Sequence, residues 1–306
     1  MKLIVQPDDG VAPLLAAIRH ARKSVDIMVF RFDRADLRAA LADAVKRGVA
    51  VRTLIAHTNS EGSRRLRKLE LDLLAVGVTV ARTADDLVRY HAKFFVIDRS
   101  RAFVLGFNFT ALDINKSRSF GIELRTRRAV AELQSLFDAD AGRQPYTAAM
   151  PDLLVSPVNA RERLAVFIRA TRRQLLIYDP KLSDPRMLAL IRDRVRAGVD
   201  VRVIGRVARA GETITWAPLR GRRLHVRAMI ADGRRAFIGS QSLKALELDK
   251  RREVGLIIRE RAIVRQMETV FAEDWAQSSK AAVVKNGGGD APAIVREMKE
   301  LAGTPV

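Results

Sequence analysis

Cysteine is absent from the 306 residues, which removes disulfides, thiolate metal sites and cysteine nucleophiles together. Aromatic residues are sparse, at 6%, and leave few rings on which unpaired bases could stack. No apolar run approaches the roughly 20 residues that cross a bilayer, so any membrane contact is expected to be peripheral. The opening MKLIVQPDDG meets Pro7, Asp8 and Asp9 before it builds the apolar core of a secretory signal. The chain therefore reads as cytoplasmic, with room for a place on the inner membrane face. Acidic residues are in deficit: 55 Lys+Arg against 35 Asp+Glu leave a net charge of +20. That excess favours anionic partners, whether a phospholipid surface, nucleic acid or a phosphate ester, and does not choose among them. Most of the cations are Arg, which a base bias in the coding DNA can produce, yet an Arg fork binds phosphate in a bidentate manner whatever its origin.

With 48% hydrophobic residues, the chain can bury enough apolar surface to fold, which excludes a disordered protein. Its length suits two domains, or one domain of two similar halves. Self-similarity favours the halves. Lys46-Arg47-Gly48-Val49-Ala50-Val51-Arg52 is echoed 150 positions later by Arg196-Ala197-Gly198-Val199-Asp200-Val201-Arg202. Each echo joins an apolar strand-like run (25–32; 175–178), an amphipathic helical stretch (35–46; 185–196), a glycine stop and an alternating strand. That is a β-α-β unit used twice, and it implies an α/β fold with mixed sheets covered by helices. The first half carries an extra segment at 60–86, with a basic helix around Arg64, Arg65, Arg67 and Lys68. Glycine and prolines at 142–157 mark a seam before another helix at 160–171. The expected divisions are residues 1–145, residues 146–280 and a glycine-bearing mobile tail, 281–306.

Only four histidines are present, and two of them open matching segments. His91-Ala92-Lys93-Phe94-Phe95-Val96-Ile97-Asp98 and His225-Val226-Arg227-Ala228-Met229-Ile230-Ala231-Asp232 share the pattern His-x-cation, four residues, Asp, at an offset of 134. Leu105-Gly106-Phe107-Asn108 and Gly239-Ser240-Gln241-Ser242 follow, and then Phe120-Gly121-Ile122-Glu123 and Arg252-Glu253-Val254-Gly255. On a strand, side chains two apart share a face, which puts His91 with Lys93 and His225 with Arg227. Asp98 and Asp232 lie seven positions from their histidines, on the opposite face of an unbroken strand, so a turn or structural role is expected for both. Displacement at phosphorus needs a nucleophile, an acid for the leaving oxygen and positive charge on the nonbridging oxygens. Two imidazoles and two cations supply all three.

This constellation resembles the phospholipase D superfamily, whose motif reads H-x-K-x4-D-x6-G-S-x-N with a downstream Glu; the likeness covers roughly residues 5–275. The resemblance implies two α/β repeats related by a pseudo-twofold, both motifs meeting at one site between them, and phosphodiester cleavage or transfer without metal or other cofactor. One chain, as a monomer, would then suffice for a complete site. His91, in the more intact motif, would attack phosphorus to form a phosphohistidine, while His225 would protonate the leaving alcohol and then activate the water or acceptor alcohol. Lys93, Arg227, Asn108, Ser240 and Ser242 would hold the phosphate oxygens, and Glu123 and Glu253 would hydrogen-bond the imidazoles, fixing tautomer and orientation.

The match has departures: Arg227 stands where the family has Lys, Leu105 where it has Gly, Gly106 where it has Ser, and Ser242 where it has Asn. Arg keeps the charge but is bulkier and planar. The sequence reading is a phosphodiesterase or phosphatidyltransferase acting on phospholipid, similar to cardiolipin synthases. Its alternatives are an endonuclease of the same chemistry and a noncatalytic phosphate-binding relative with a decayed second motif. Elsewhere structural roles are expected: Phe94, Phe95, Phe103 and Phe109 as core, His20 and His57 outside the chemistry, and the run 64–68 as a solvated face. The run 220–223, directly before His225, is a candidate anionic-ligand rim. No carboxylate cluster has metal-ligand spacing, and no P-loop or dinucleotide fingerprint is present.

Overall fold

The computed structural model describes residues 1–57, 63–208 and 214–283. The first half runs β1 (Lys2–Gln6), α1 (Ala12–Arg19), β2 (Ser24–Val29), α2 (Ala35–Lys46), β3 (Ala50–Ile55), α3 (Ser63–Leu74), β4 (Thr79–Arg82), β5 (Arg89–Tyr90), β6 (Phe94–Ile97), β7 (Arg101–Leu105), α4 (Ala111–Lys116), β8 (Ser117–Leu124) and α5 (Arg127–Ala141). The second runs β9 (Leu153–Ser156), α6 (Ala160–Arg169), β10 (Gln174–Leu182), α7 (Pro185–Arg196), β11 (Asp200–Val207), β12 (Thr215–Ala217), β13 (Arg223–Leu224), β14 (Arg227–Ala231), β15 (Arg235–Gly239), α8 (Ala245–Asp249), β16 (Arg251–Ile258) and α9 (Arg261–Val283). Apart from α3, the helices and strands correspond one for one. Beyond Val283 the expected tail lies outside the described residues, as do the side chains of 63–65 in the basic run.

Local sequence accounts for the repeated unit. In α2, Leu37, Ala40, Leu41 and Ala44 are buried, a stripe at helical spacing facing the sheet. In α7, Met187, Leu188 and Ile191 do the same, and Asp184 caps the helix by accepting from the Met187 N–H. Both helices end at a glycine with positive φ, Gly48 at 83° and Gly198 at 80°, where a residue with a Cβ would be strained. The chain then enters the strand parallel to the one it left: β2 pairs β3 in parallel, and β10 pairs β11.

Two mixed eight-stranded sheets result, ordered β1-β8-β7-β6-β2-β3-β4 and β12-β11-β10-β14-β15-β16-β5, with β9 on β16 and β13 on β8. The two shortest strands change sides. β5, from the first half, joins the second sheet beside β16, and β13, from the second half, joins the first beside β8. One contiguous core joins the halves and includes Phe94 and Ile122, Val226 and Ile238, Leu133 and Phe137 of α5, and Met267 and Phe271 of α9. Phe95, Phe103 and Phe109 are buried in a second core beneath α1 and α2, and Phe95 stacks on Phe103 with centroids 4.2 Å apart. A third core lies beneath α6 and α7.

Reciprocal ion pairs lock the seam. Arg118 of β8 grips Asp274 of α9 through two bonds of 2.8 and 3.1 Å and donates to the Gln6 carbonyl. Arg252 of β16 reaches Asp140 of α5 at 3.0 Å and the Ser156 carbonyl. Residues 118 and 252 carry the 134 offset of the histidine motifs, as do 140 and 274.

Candidate active site

The exchange of β5 and β13 carries the histidines to the seam. Just past β5, the His91 N–H donates to the Arg252 carbonyl at 2.8 Å; just past β13, the His225 N–H donates to the Arg118 carbonyl at 3.1 Å. The backbone of each histidine is thus pinned to the strand of the opposite half, and both imidazoles line one cavity of about 490 Å³. His91 and Lys93 lie in the irregular link between β5 and β6 rather than on an unbroken strand, yet they do meet. The Lys93 ammonium donates to the His91 carbonyl at 2.6 Å and stands within 3.0 Å of both ring nitrogens. Arg227 mirrors it, donating to the His225 carbonyl at 2.9 Å.

The surroundings set the protonation of these groups. Burial, then the Lys93 and Arg227 charges, pulls the His91 imidazole well below its ordinary range, and burial, then Arg227, does the same to His225. Burial brings the Lys93 ammonium down to about 7. Both rings are therefore neutral before a ligand arrives, as a nucleophile must be. A bound phosphodiester anion would raise them, and the ligand's own charge would arm the histidine that serves as acid.

The two imidazoles have different supports. Both carboxylate oxygens of Glu253, on β16, lie 3.0 Å from His91 Nδ1. With the Nδ1 proton donated there, Nε2 is left as the accepting nitrogen, 3.0 Å from the Lys93 ammonium. Phe30 packs edge-on to the same ring at 4.7 Å. At His225, Nδ1 has no partner among the described residues, and Asp113 Oδ2 lies 3.6 Å from Nε2. Asp113 also accepts from the Asn108 N–H at 2.9 Å and the Asn108 side chain at 2.8 Å.

Three expectations need correction. Glu123 touches neither imidazole: Arg101 at 2.8 and 2.9 Å and Arg125 at 2.9 Å occupy its carboxylate. Aligning Gly121 with Gly255 puts Ser119, not Glu123, opposite Glu253, and the buried Ser119 hydroxyl is without a partner. Ser240 and Ser242 do not face the cavity. Both are fully buried; the Ser240 hydroxyl bonds the backbone of Val254, and that of Ser242 donates to Asp179. Of Asn108, Ser240 and Ser242, Asn108 alone lines the cavity, together with Arg227.

Asp98 and Asp232 occupy mirror turns at φ 51° and 56°. The Asp98 carboxylate accepts the N–H groups of Arg22, Lys23 and Ser24, and that of Asp232 those of Arg172, Arg173 and Gln174. Neither contacts a histidine. Sequence reasoning missed Phe30, the pair Arg118 and Arg252, and the pair Asp113 and Glu247, although both pairs carry the 134 offset that marks the motifs. From the run 220–223, Arg223 does line the cavity.

A family model described as "Cardiolipin synthase, PLD-like domain" matches residues 14–141 and 164–275. The chain belongs to the phospholipase D superfamily. Among solved structures, polyphosphate kinase from Porphyromonas gingivalis superposes with a TM-score of 0.72 at 20% identity, over 89% of this chain and 49% of that one. This phospholipase D-like chain thus spans about half the kinase's length. Phosphatidylserine synthase from Haemophilus influenzae Rd KW20 gives 0.68 at 12% identity, over 88% of this chain and 84% of that one. Nuc from Salmonella typhimurium, a phospholipase D family member, gives 0.42 at 21% identity, over 47% and 93%. The likenesses to the kinase and to the synthase establish the fold. No curated protein matches the sequence.

Proposed function

We propose that this chain is a phosphodiesterase or phosphatidyltransferase that acts on phospholipid through a phosphohistidine on His91. The observation that carries the reading is the pair of imidazoles on one cavity, each on a backbone anchored to the opposite half and accompanied by a motif cation. His91 Nε2 attacks phosphorus as the bond to the leaving alcohol breaks, His225 delivers the proton to that oxygen, and Lys93 and Arg227 meet the charge on the nonbridging oxygens. His225, now basic, takes a proton from water or an acceptor alcohol, which displaces His91. Every proton is returned, and no further reactant is needed. Glu253 supports the assignment of His91 as nucleophile, because its carboxylate stabilises the positive charge on that ring in the intermediate.

The cavity wall supports lipid. Phe32, Leu66, Leu69, Leu112 and Leu224 line it beside the cations, and Leu112 is 51% exposed at its mouth. Leu66 and Leu69 come from α3, the helix with no counterpart among the described residues of the second half. No helix of the described residues is long and apolar enough to cross a membrane, so lipid would be reached from a surface. The test is turnover of phosphatidylglycerol and phosphatidylcholine, in parallel with single- and double-stranded DNA, all in EDTA. Turnover of lipid with an acid-labile phosphate trapped on His91 is expected. Cleavage of DNA alone would make the protein a nuclease, activity lost in EDTA would overturn the metal-free mechanism, and a trapped phosphate on His225 would reverse the roles.

A further inference from the structure

We propose that Arg89, with Arg251 and Arg31 beside it, forms a second anion subsite next to His91, and that the phospholipid taken there carries a further anionic group, such as a headgroup phosphomonoester, besides the scissile diester. The lipid part rests on the function proposed above. The subsite itself rests on a break in the internal symmetry. By the 134 offset Arg89 corresponds to Arg223, Glu247 to Asp113 and Arg251 to Ser117. In one half the set is closed: Arg223 donates to Asp113 Oδ1 at 2.7 Å and to the Ser117 hydroxyl at 3.0 Å. In the other, Arg251 stands in place of the serine and takes the carboxylate, reaching Glu247 Oε1 at 3.3 Å, while the Ser242 N–H holds Oε2 at 2.7 Å. Arg89 is left with no carboxylate or hydrogen-bond partner among the described residues, its guanidinium carbon 5.1 Å from the centroid of Phe30.

The scissile diester does not account for this cation. Its single charge is met by Lys93 and Arg227, the residues that stand with the two histidines. Arg89 lines the same cavity and is partly withdrawn from water, with the charges of Arg251 and Arg31 acting against its own more strongly than those of Glu253 and Glu247 favour it. Like charges held together cost free energy that a bound anion removes, and an Arg fork on an aromatic face suits a phosphate group. There is also room beyond it. Arg89 borders a smaller recess of about 250 Å³ formed with His57, Thr83, Asp85 and Tyr90, which gives a headgroup somewhere to extend. A choline headgroup would instead bring a cation towards three arginines.

Two measurements test the proposal. Titration with inorganic phosphate, followed by calorimetry, should find two sites in the wild type and one in Arg89→Gln. A single site in the wild type, or two in the variant, would overturn the subsite. Turnover of dihexanoyl phosphatidylglycerol is then compared with that of the same lipid bearing a phosphomonoester on the headgroup glycerol. The wild type should favour the phosphorylated lipid by about tenfold or more in kcat/KM, the equivalent of one good charged contact. Arg89→Gln should bring that ratio near one, and Arg89→Lys should restore part of it. Equal ratios in wild type and Arg89→Gln would overturn the headgroup assignment. If phosphate stoichiometry behaves as expected while neither lipid is turned over and 5′-phosphorylated oligonucleotides are, the subsite stands and its occupant is a nucleic acid phosphate.

Discussion

The two histidine motifs share one pattern and differ in what surrounds them. His91 is backed by a buried carboxylate, has a lysine against its ring and lies beside an arginine left without a partner. In the other half Ser119 stands at the position of Glu253, and His225 has an arginine in the lysine's place and lies beside an arginine closed off by Asp113. The backbone that presents them is nearly symmetric, down to the strand exchange and the carbonyls that pin each histidine. The repeated backbone therefore accounts for position, and on the mechanism proposed above the residues around each ring account for role. A nucleophile benefits from a fixed tautomer and a carboxylate behind it; an acid that is charged only when substrate arrives needs neither.

The largest test of that difference replaces each histidine in turn. His91→Ala should lose on the order of 10^5 in kcat, because nothing else is placed to attack phosphorus. His225→Ala should lose about 10^2 to 10^4 on a natural alcohol leaving group, the usual worth of a general acid, and recover most of it on a p-nitrophenyl ester that leaves without a proton. Steady-state rates on the two ester types separate the roles. Equal losses on both for both variants would mean the two rings are still equivalent.

One shell further out the effect is smaller. Glu253→Gln should cost about 10^2 in kcat, since a carboxylate that stabilises the charged imidazole becomes a neutral amide. Ser119→Ala, its mirror, should change kcat by no more than about threefold, and so should Glu123→Gln, whose charge is spent on Arg101 and Arg125. Kinetics of the three variants side by side would contradict the assigned asymmetry if Ser119→Ala proved as damaging as Glu253→Gln.

How much of this was legible in the sequence follows from the range of each interaction. The motif strings, the β-α-β units and the duplicated order are local patterns, and they read correctly. Glu253 is legible because it lies in the same string as Gly255; Glu123 is not its counterpart, because once the glycines are matched it stands four residues from the place that corresponds. Ser240 and Ser242 looked like phosphate ligands by type, but burial decided otherwise, and burial depends on which strand packs above. β5 and β13 are two residues long, too short for any periodicity to mark, and their partners lie more than 100 residues away. The exchange that builds the site was therefore invisible, although the 134 offset shared by Arg118, Arg252, Asp140 and Asp274 was available as a trace of it.

The lysine and arginine of the two motifs differ in what they do with pH. Lys93, at about 7, loses its proton as the pH rises through neutrality, so the free protein's affinity for an anionic diester falls above that point. The profile of kcat/KM should drop about tenfold per pH unit on its alkaline side, while that of kcat, which reports the complex, bends at higher pH because bound phosphate favours the charged amine. Lys93→Arg makes the first motif like the second, and its guanidinium keeps its charge throughout. The alkaline limb of kcat/KM should vanish in that variant even if the maximum rate falls. A limb that stays near pH 7 would assign it to another group.

The mirror ion pairs across the seam give the mildest contrast. Asp274 accepts two bonds from Arg118 and one from the Tyr178 hydroxyl at 2.7 Å, so Asp274→Asn should cost about 3 kcal/mol, the loss of one partner from a buried pair. Asp140 has an oxygen with no partner, and burial raises its carboxyl to about 6. Its folded-state pKa exceeds that of the unfolded chain, so the stability it contributes is full below about pH 4 and is lost as the pH rises through about 6. Near pH 8 Asp140→Asn should therefore cost only about 1 kcal/mol, because the ionised group it replaces was itself poorly satisfied. Thermal unfolding at several pH values should show the wild type gaining on Asp140→Asn as the solution is acidified from 7 to 4. A gap that shrinks on acidification would show that Asp140 is held ionised and that the two pairs are equivalent.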